Sequence, residues 1–253
     1  MTSIYKFCSA KQHYFDALSG NKIHCTHPKF MNDPNELASN LILPYQKFRD
    51  AIGWNADMNK QFDEHAIASF TKGSENSSYF WNKYADKGKG FMIEFDSEKL
   101  GDEMVRQYLF PYYLQDVEYI NGQFDLDDFS NSFAYDSETY TIQDCINAYK
   151  GYPSDVVPLE RLFQHLRLVK DLSRWSMENE SRIIIAGRNS SKHLAKTNYG
   201  YDLELLPGTI KSIRLGPRAS HHTRMRVKQI ADSLNIHLNY SCVFSCFSII
   251  SNR

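Results

Sequence analysis

The stretch that most constrains this chain is Arg174 to Ala186, RWSMENESRIIIA. It sets the run Glu178-x-Glu180-x-Arg182 directly against Ile183 to Ile185. A β-branched run of that kind belongs in a strand. Charged groups at the entry of a buried strand are costly unless something pairs with them or uses them. In an extended segment, residues i and i+2 share a face, so Glu178, Glu180 and Arg182 are expected in one row. Two carboxylates on one face raise each other's pKa, and an Arg beside them holds one ionised. That suits a general base, or a carboxylate that bonds a ribose hydroxyl and steadies an oxocarbenium-like centre. The plainer reading is a surface Glu–Arg pair worth about 0–1 kcal/mol.

The rest of the chain supplies strands and helices in mixed order. Strand patterns fall at Ser3–Phe7, Lys22–Thr26, Ile67–Thr71, Gly90–Asp96, Ser181–Ala186, Ile210–Leu215 and Ile236–Tyr240, with a further β-prone segment at Val243–Ile250. Helical patterns fall at Lys11–Ser19, within Leu41–His65, from Ser78, and over His221–Leu234. Gly20 reads as a left-handed helix cap. Leu159, Leu162, Phe163, Leu166, Val169 and Leu172 keep helical spacing, so one helix is expected to run up to the Arg174 stretch. Asn121 to Ser137, with DLDD at Asp125–Asp128, reads as a polar insertion. No repeat or linker is visible, so residues 1–253 are expected to form a single α+β domain, its central mixed or antiparallel sheet flanked by helices.

Composition enters as a set of exclusions. The formal net charge is -1, so no bulk cationic field points to nucleic acid. With 42% hydrophobic and 23% charged residues, the chain is globular in character. Apolar runs fall well short of the roughly 20 residues that span a bilayer, and MTSIYKFCSAKQ has no signal-peptide pattern. The 5 Cys follow no disulfide spacing. A cytoplasmic protein without a membrane partner is the expectation.

Several blocks in order carry a resemblance: IYKF, PKFMNDPNE, SFT, WNKYADKGKGFMIEFD, VEY, W-x-x-E-x-E-x-R and IKSIRLGP. Together they resemble the bacterial domain-of-unknown-function family DUF 2971. The matching blocks frame the chain from Ile4 to about Pro217, and Trp81–Asp96 and Trp175–Arg182 are the most specific. That family usually has an aromatic or His where Asn82 or Lys83 stands, and an aromatic where Asn35 follows Asn-Asp-Pro. Its name implies no reaction.

A Glu-x-Glu entering an apolar strand is also similar to the bi-glutamate element of ADP-ribosyltransferases. That similarity implies an intracellular bacterial effector, of toxin or phage-defence type, consuming NAD. It implies Glu180 as the catalytic carboxylate, with Glu178 and Arg182 beside it. It implies Lys6 as a phosphate contact, Ser69 and Thr71 positioning the ribose, and Tyr5, Trp81 or Tyr84 stacking on nicotinamide. Lys6 stands where that fold carries Arg or His, and Lys lacks the planar two-point grip. Asn32, Asp33 and Glu94 complete the candidate binding set around a nucleotide small molecule. A protein or nucleic acid would serve as acceptor.

Two other readings stay open. Asp33, Glu36, Glu94 and Asp96, with Glu178 or Glu180, could hold Mg²⁺ in a nuclease or phosphodiesterase, although Asp96 suits a helix cap. Alternatively the polar motifs satisfy one another in a non-catalytic binding module. His24, Cys25 and His27 with Cys242 and Cys246 fit no familiar zinc spacing. His221 and His222 beside Arg218, Arg224 and Arg226 form a basic helix start that could attract phosphate, with a solvated face as the plainer reading.

Overall fold

The structure is a computed structural model that describes residues 3–31, 41–58, 65–73, 75–103, 114–122, 124–135, 138–151, 157–185 and 192–240. Asn32, Asp33 and Glu36, and the β-prone segment at Val243–Ile250, lie outside the described residues.

The fold is α+β. Its central sheet combines β1 (Ser3–Cys8), β2 (Lys22–Thr26), β3 (Ala66–Thr71), β4 (Phe91–Asp96), β5 (Leu114–Asp116), β10 (Glu180–Ile185), β11 (Leu194–Thr197), β12 (Gly200–Glu204), β13 (Ile210–Leu215) and β14 (His237–Tyr240). The main order is β11-β12-β2-β3-β1-β4-β13-β14, and β10 joins β3 to β5. All of these pairs are antiparallel except β13–β14. A separate parallel pair joins β6 (Glu118–Ile120) to β9 (Val169–Asp171), and a hairpin joins β7 (Ser132–Tyr135) to β8 (Glu138–Thr141).

Alternation builds the main core. Ile4 and Cys8 of β1, Ala68 and Phe70 of β3, Ile183 and Ile185 of β10, and Phe91, Ile93 and Phe95 of β4 are buried together. Helices α1 (Gln12–Ser19) and α7 (His221–Leu234) add Phe15, Leu18, Val227 and Ile230. A second core forms where α2 (Gln46–Ile52), α4 (Ile142–Gly151) and α5 (Val157–Leu166) meet the β7–β8 hairpin. Leu126 and Phe133 reach into it, so the Asn121–Ser137 stretch contributes core contacts as well as polar turns.

Three local expectations change. Gly20 has an ordinary φ of -87°, and Asn21 takes the left-handed conformation with φ 51°. The helix expected up to Leu172 ends at Leu166; Val169 belongs to β9, and Leu172 opens the short exposed helix α6 (Leu172–Trp175). The cause is tertiary, because β9 pairs with β6 through Glu118–Val169 and Tyr119–Lys170. Finally, Glu178 is not extended. It ends a 3-10 turn over Ser176–Glu178, and Asn179 follows in left-handed geometry with φ 40°, a conformation that Asn tolerates better than most residues.

Candidate functional site

Glu180 begins β10 and Arg182 follows it on the same face, as the two-residue period requires. Arg182 Nε donates to Glu180 Oε1 at 2.7 Å, and its terminal nitrogens reach Glu180 Oε2 at 3.3 Å and the Arg167 carbonyl. Glu178 arrives by another route. The left-handed turn at Asn179 brings it back over the end of β3, where Thr71 Oγ1 donates to the Glu178 carbonyl at 2.7 Å and Lys72 N donates to the Asn179 carbonyl at 3.0 Å.

Lys170 joins the two carboxylates. Its Nζ lies 3.1 Å from Glu178 Oε2 and 2.7 Å from Glu180 Oε2. On the far side of Glu178, Oε1 accepts from Lys83 Nζ at 3.0 Å, Tyr79 Oη at 3.2 Å and Tyr84 Oη. The Trp175 ring lies against both cations, 4.1 Å from Lys83 Nζ and 4.7 Å from Lys170 Nζ, contacts typically worth about 0.5–2 kcal/mol. The result is an alternating row: Lys83, Glu178, Lys170, Glu180, Arg182.

Burial separates its two ends. The side chains of Glu178, Glu180 and Arg182 are 4%, 5% and 1% exposed, while Lys83 is 30% exposed. Burial pushes the Glu180 carboxyl up, but Arg182 and Lys170 overcome it and hold the group at about 2. At Glu178 burial likewise works upward and Lys170, Tyr84 and Lys83 outweigh it, leaving the pKa below the ordinary carboxylate value. Both groups are therefore anions near neutral pH. A carboxylate at about 2 is a weak general base there. Tyr119, whose hydroxyl oxygen accepts the Glu180 N–H at 2.9 Å, is raised to about 12, burial being the main cause.

This row walls a cavity of about 590 Å³, inside the range of small-molecule sites. Tyr5, Lys6, Ser69, Thr71, Tyr84, Glu178 and Glu180 all line it. Phe7, Tyr14, Phe30 and Phe80 add rings, and Lys11, Lys83, Lys170 and Asp86 add charge. Four lysines against three carboxylates give the lining one net positive charge. The aromatic floor comes from α3 (Ser78–Lys83), whose Phe80 stacks on Phe7 with ring centres 5.2 Å apart. The chain returns from this helix into β4 through Gly90, where a Cβ would meet the Cys8 carbonyl oxygen at 2.0 Å.

Other candidates lie elsewhere. Arg182 is behind Glu180 and does not line the cavity. Trp81 is buried beside Phe7 and donates its indole N–H to the Glu75 carbonyl at 3.1 Å. Glu94 accepts from Ser3 at 2.6 Å and Ser212 at 2.7 Å. Asp96 caps the following turn through Glu98 N and Lys99 N. His24 Nδ1 meets Asp202 Oδ1 at 2.7 Å, and burial pushes the Cys25 thiol up to about 12. Among the described residues, no group of three or more His, Cys, Asp or Glu is placed to hold a metal ion. None of their helices is long and apolar enough to cross a membrane.

Sequence reasoning missed Lys170, Lys83, Tyr79 and Tyr119. Lys83 and Tyr79 had a signal, because a helix starting at Ser78 places them four residues apart on one face. Lys170 had none.

The architecture is therefore an α+β protein with an ion row along one wall of a ring-lined cavity. Residues 80–183 match the family described as a protein of unknown function, DUF2971. That match supports assigning the chain to the DUF2971 family, and it covers Lys83, Lys170, Glu178, Glu180 and Arg182. No curated protein matches the chain, and no solved structure does.

Proposed function

We propose that the cavity binds NAD and that the protein consumes it by ADP-ribosyltransferase-like chemistry. The observation that carries this reading is convergence. Seven residues from four separate parts of the chain (Tyr5, Lys6, Ser69, Thr71, Tyr84, Glu178 and Glu180) face one cavity that offers rings, cations and anionic oxygens together. A dinucleotide needs all three. In this reading Glu178 is the carboxylate beside the nicotinamide ribose, because its partner Lys83 is open to solvent. Glu180, enclosed by Arg182 and Lys170, is a positioning residue. The glycosidic C–N bond breaks, and nicotinamide leaves with the electron pair. The cationic ribose carbon is captured by water or by an acceptor hydroxyl or amine, which loses its proton. The negative charge of Glu178 opposes the charge that develops on the ribose.

The test is incubation with labelled NAD, alone and with a cell lysate. Label transfer or nicotinamide release is expected, and Glu178→Gln should slow it by about 100-fold or more. Absence of both reactions would overturn the proposal. A second reading rests on the closure of the ion row on itself: a binding module that holds a nucleotide without turning it over. Glu178→Gln would then alter binding or stability while no turnover appears with either protein.

A further inference from the structure

Ser69 sits where the central sheet comes apart. β10 occupies one edge of β3 along its whole length, from Ala66 to Thr71. β1 and β2 therefore share the other edge, and each meets it at one residue. Thr26 of β2 stands opposite Ile67, and Tyr5 of β1 stands opposite Thr71. Ser69 lies midway between these contacts, and among the described residues no strand residue stands opposite it on that side.

The direction of its backbone follows from β10. The Glu180 N–H donates to Tyr119 Oη, and the Glu180 carbonyl accepts from Val117 N, so both groups turn away from β3. Glu180–Thr71 is thus a non-hydrogen-bonded rung, and alternate rungs of an antiparallel pair share that character. Arg182–Ser69 is the next such rung. The N–H and carbonyl of Ser69 consequently point into the gap. Lys6 agrees with this, since its Nζ donates to the Ser69 carbonyl at 3.3 Å. Ser69 Oγ is buried and has no hydrogen-bond partner among the described residues. Buried donors without acceptors are rare, because each forfeits its hydration.

We infer that the gap between β1 and β2 is an oxyanion niche, in which the Ser69 N–H and Oγ–H and the Lys6 ammonium hold a phosphate group of a nucleotide. The chemistry selects for charge. The Ser69 carbonyl is already met by Lys6, the Ser69 N–H and Oγ–H and the Lys6 ammonium are donors, and Lys11 adds a cation to the same lining, which carries a net positive charge. Anionic oxygens form the strongest hydrogen bonds to such donors. Ser69 then serves the phosphate and not the ribose. This inference rests on the cavity being the ligand site, but it requires no nicotinamide chemistry.

Calorimetric titration of the full chain with ADP, adenosine and inorganic phosphate tests it. ADP is expected to bind about tenfold or more tightly than adenosine. Lys6→Met should remove most of that advantage, and Ser69→Ala should reduce it several-fold, with adenosine affinity unchanged in both. If Lys6→Met fails to fold, Ser69→Ala decides alone. Equal binding of ADP and adenosine would overturn the niche, and so would an ADP advantage that survives in the variants. Inorganic phosphate binding as tightly as ADP, with the same loss in Ser69→Ala, supports the niche with the free ion as its occupant. An ADP advantage that depends on Lys6 and Ser69, in a protein that does not consume NAD, upholds the niche and removes the transferase. NAD turnover with ADP binding unaffected by either variant does the reverse.

Discussion

Two carboxylates sit in strands of the central sheet, Glu180 on β10 and Glu94 on β4, and the sheet treats them differently. Glu94 accepts from two hydroxyls, Ser3 and Ser212, with Lys211 3.6 Å away at the surface. Glu180 instead lies between two cations, Arg182 and Lys170, whose side chains are themselves buried. Neutral hydroxyls answer a carboxylate locally and add no charge. Cations answer it by bringing charge that must be balanced in turn, and here that balance comes from Glu178 and then Lys83. Buried ion pairing therefore propagates until it reaches solvent, and it does so at the cavity wall. The Glu94 site ends where it begins.

The sharpest way to break this contrast is to remove Lys170. Lys170→Met keeps the apolar stem against Trp175 but leaves two buried carboxylates without their shared cation. Orphaning a buried charge typically costs about 3–5 kcal/mol. A loss of that size is expected in urea unfolding, read from the midpoint at constant slope. A loss below about 1 kcal/mol would mean that Arg182 and Lys83 suffice and that the row is not one unit.

The pH dependence separates the same two sites. The folded-state pKa of Glu180, about 2, lies below its ordinary value of 4.5. For a depressed carboxylate the stabilisation is present above the unfolded value and is lost as pH falls through the folded one. Stability should therefore decline between about pH 4.5 and 2, by on the order of 3 kcal/mol from this group. Glu180→Gln should flatten the decline over that window, measured as unfolding free energy against pH. An unchanged slope would show that Glu180 is not the group holding the folded state against acid.

Much of this fold was legible in the sequence, and the reason is locality. Lys22–Thr26, Ile210–Leu215 and His221–Leu234 form as their patterns indicate, because a strand or helix period needs only its own residues. The Glu180–Arg182 contact was legible for the same reason. Lys170 was not, because its position depends on β9 pairing with β6, some 50 residues earlier in the chain. The gap at Ser69 was not legible either. IASFT reads as a strand whichever partners flank it, and how far β1 and β2 run along it is a long-range property. Glu178 reaches the cavity by a geometry other than the expected one, since a left-handed turn at Asn179 stands in place of the extended row.

The smallest effect belongs to the other carboxylate. Glu94→Gln keeps the shape and an acceptor oxygen for Ser3 or Ser212. Its neighbour Lys211 is a third exposed, so solvent screens the lost charge. A stability change within about 1 kcal/mol is expected. Glu94 also has its pKa lowered: burial works upward, and Ser3, Ser212 and Lys211 together prevail. The variant should therefore remove only a shallow part of the acid dependence. It should leave the binding of ADP unchanged, because Glu94 does not line the cavity. A large loss of stability would place a buried ion network on β4 too, and the sheet would then hold two such rows instead of one row and one local contact.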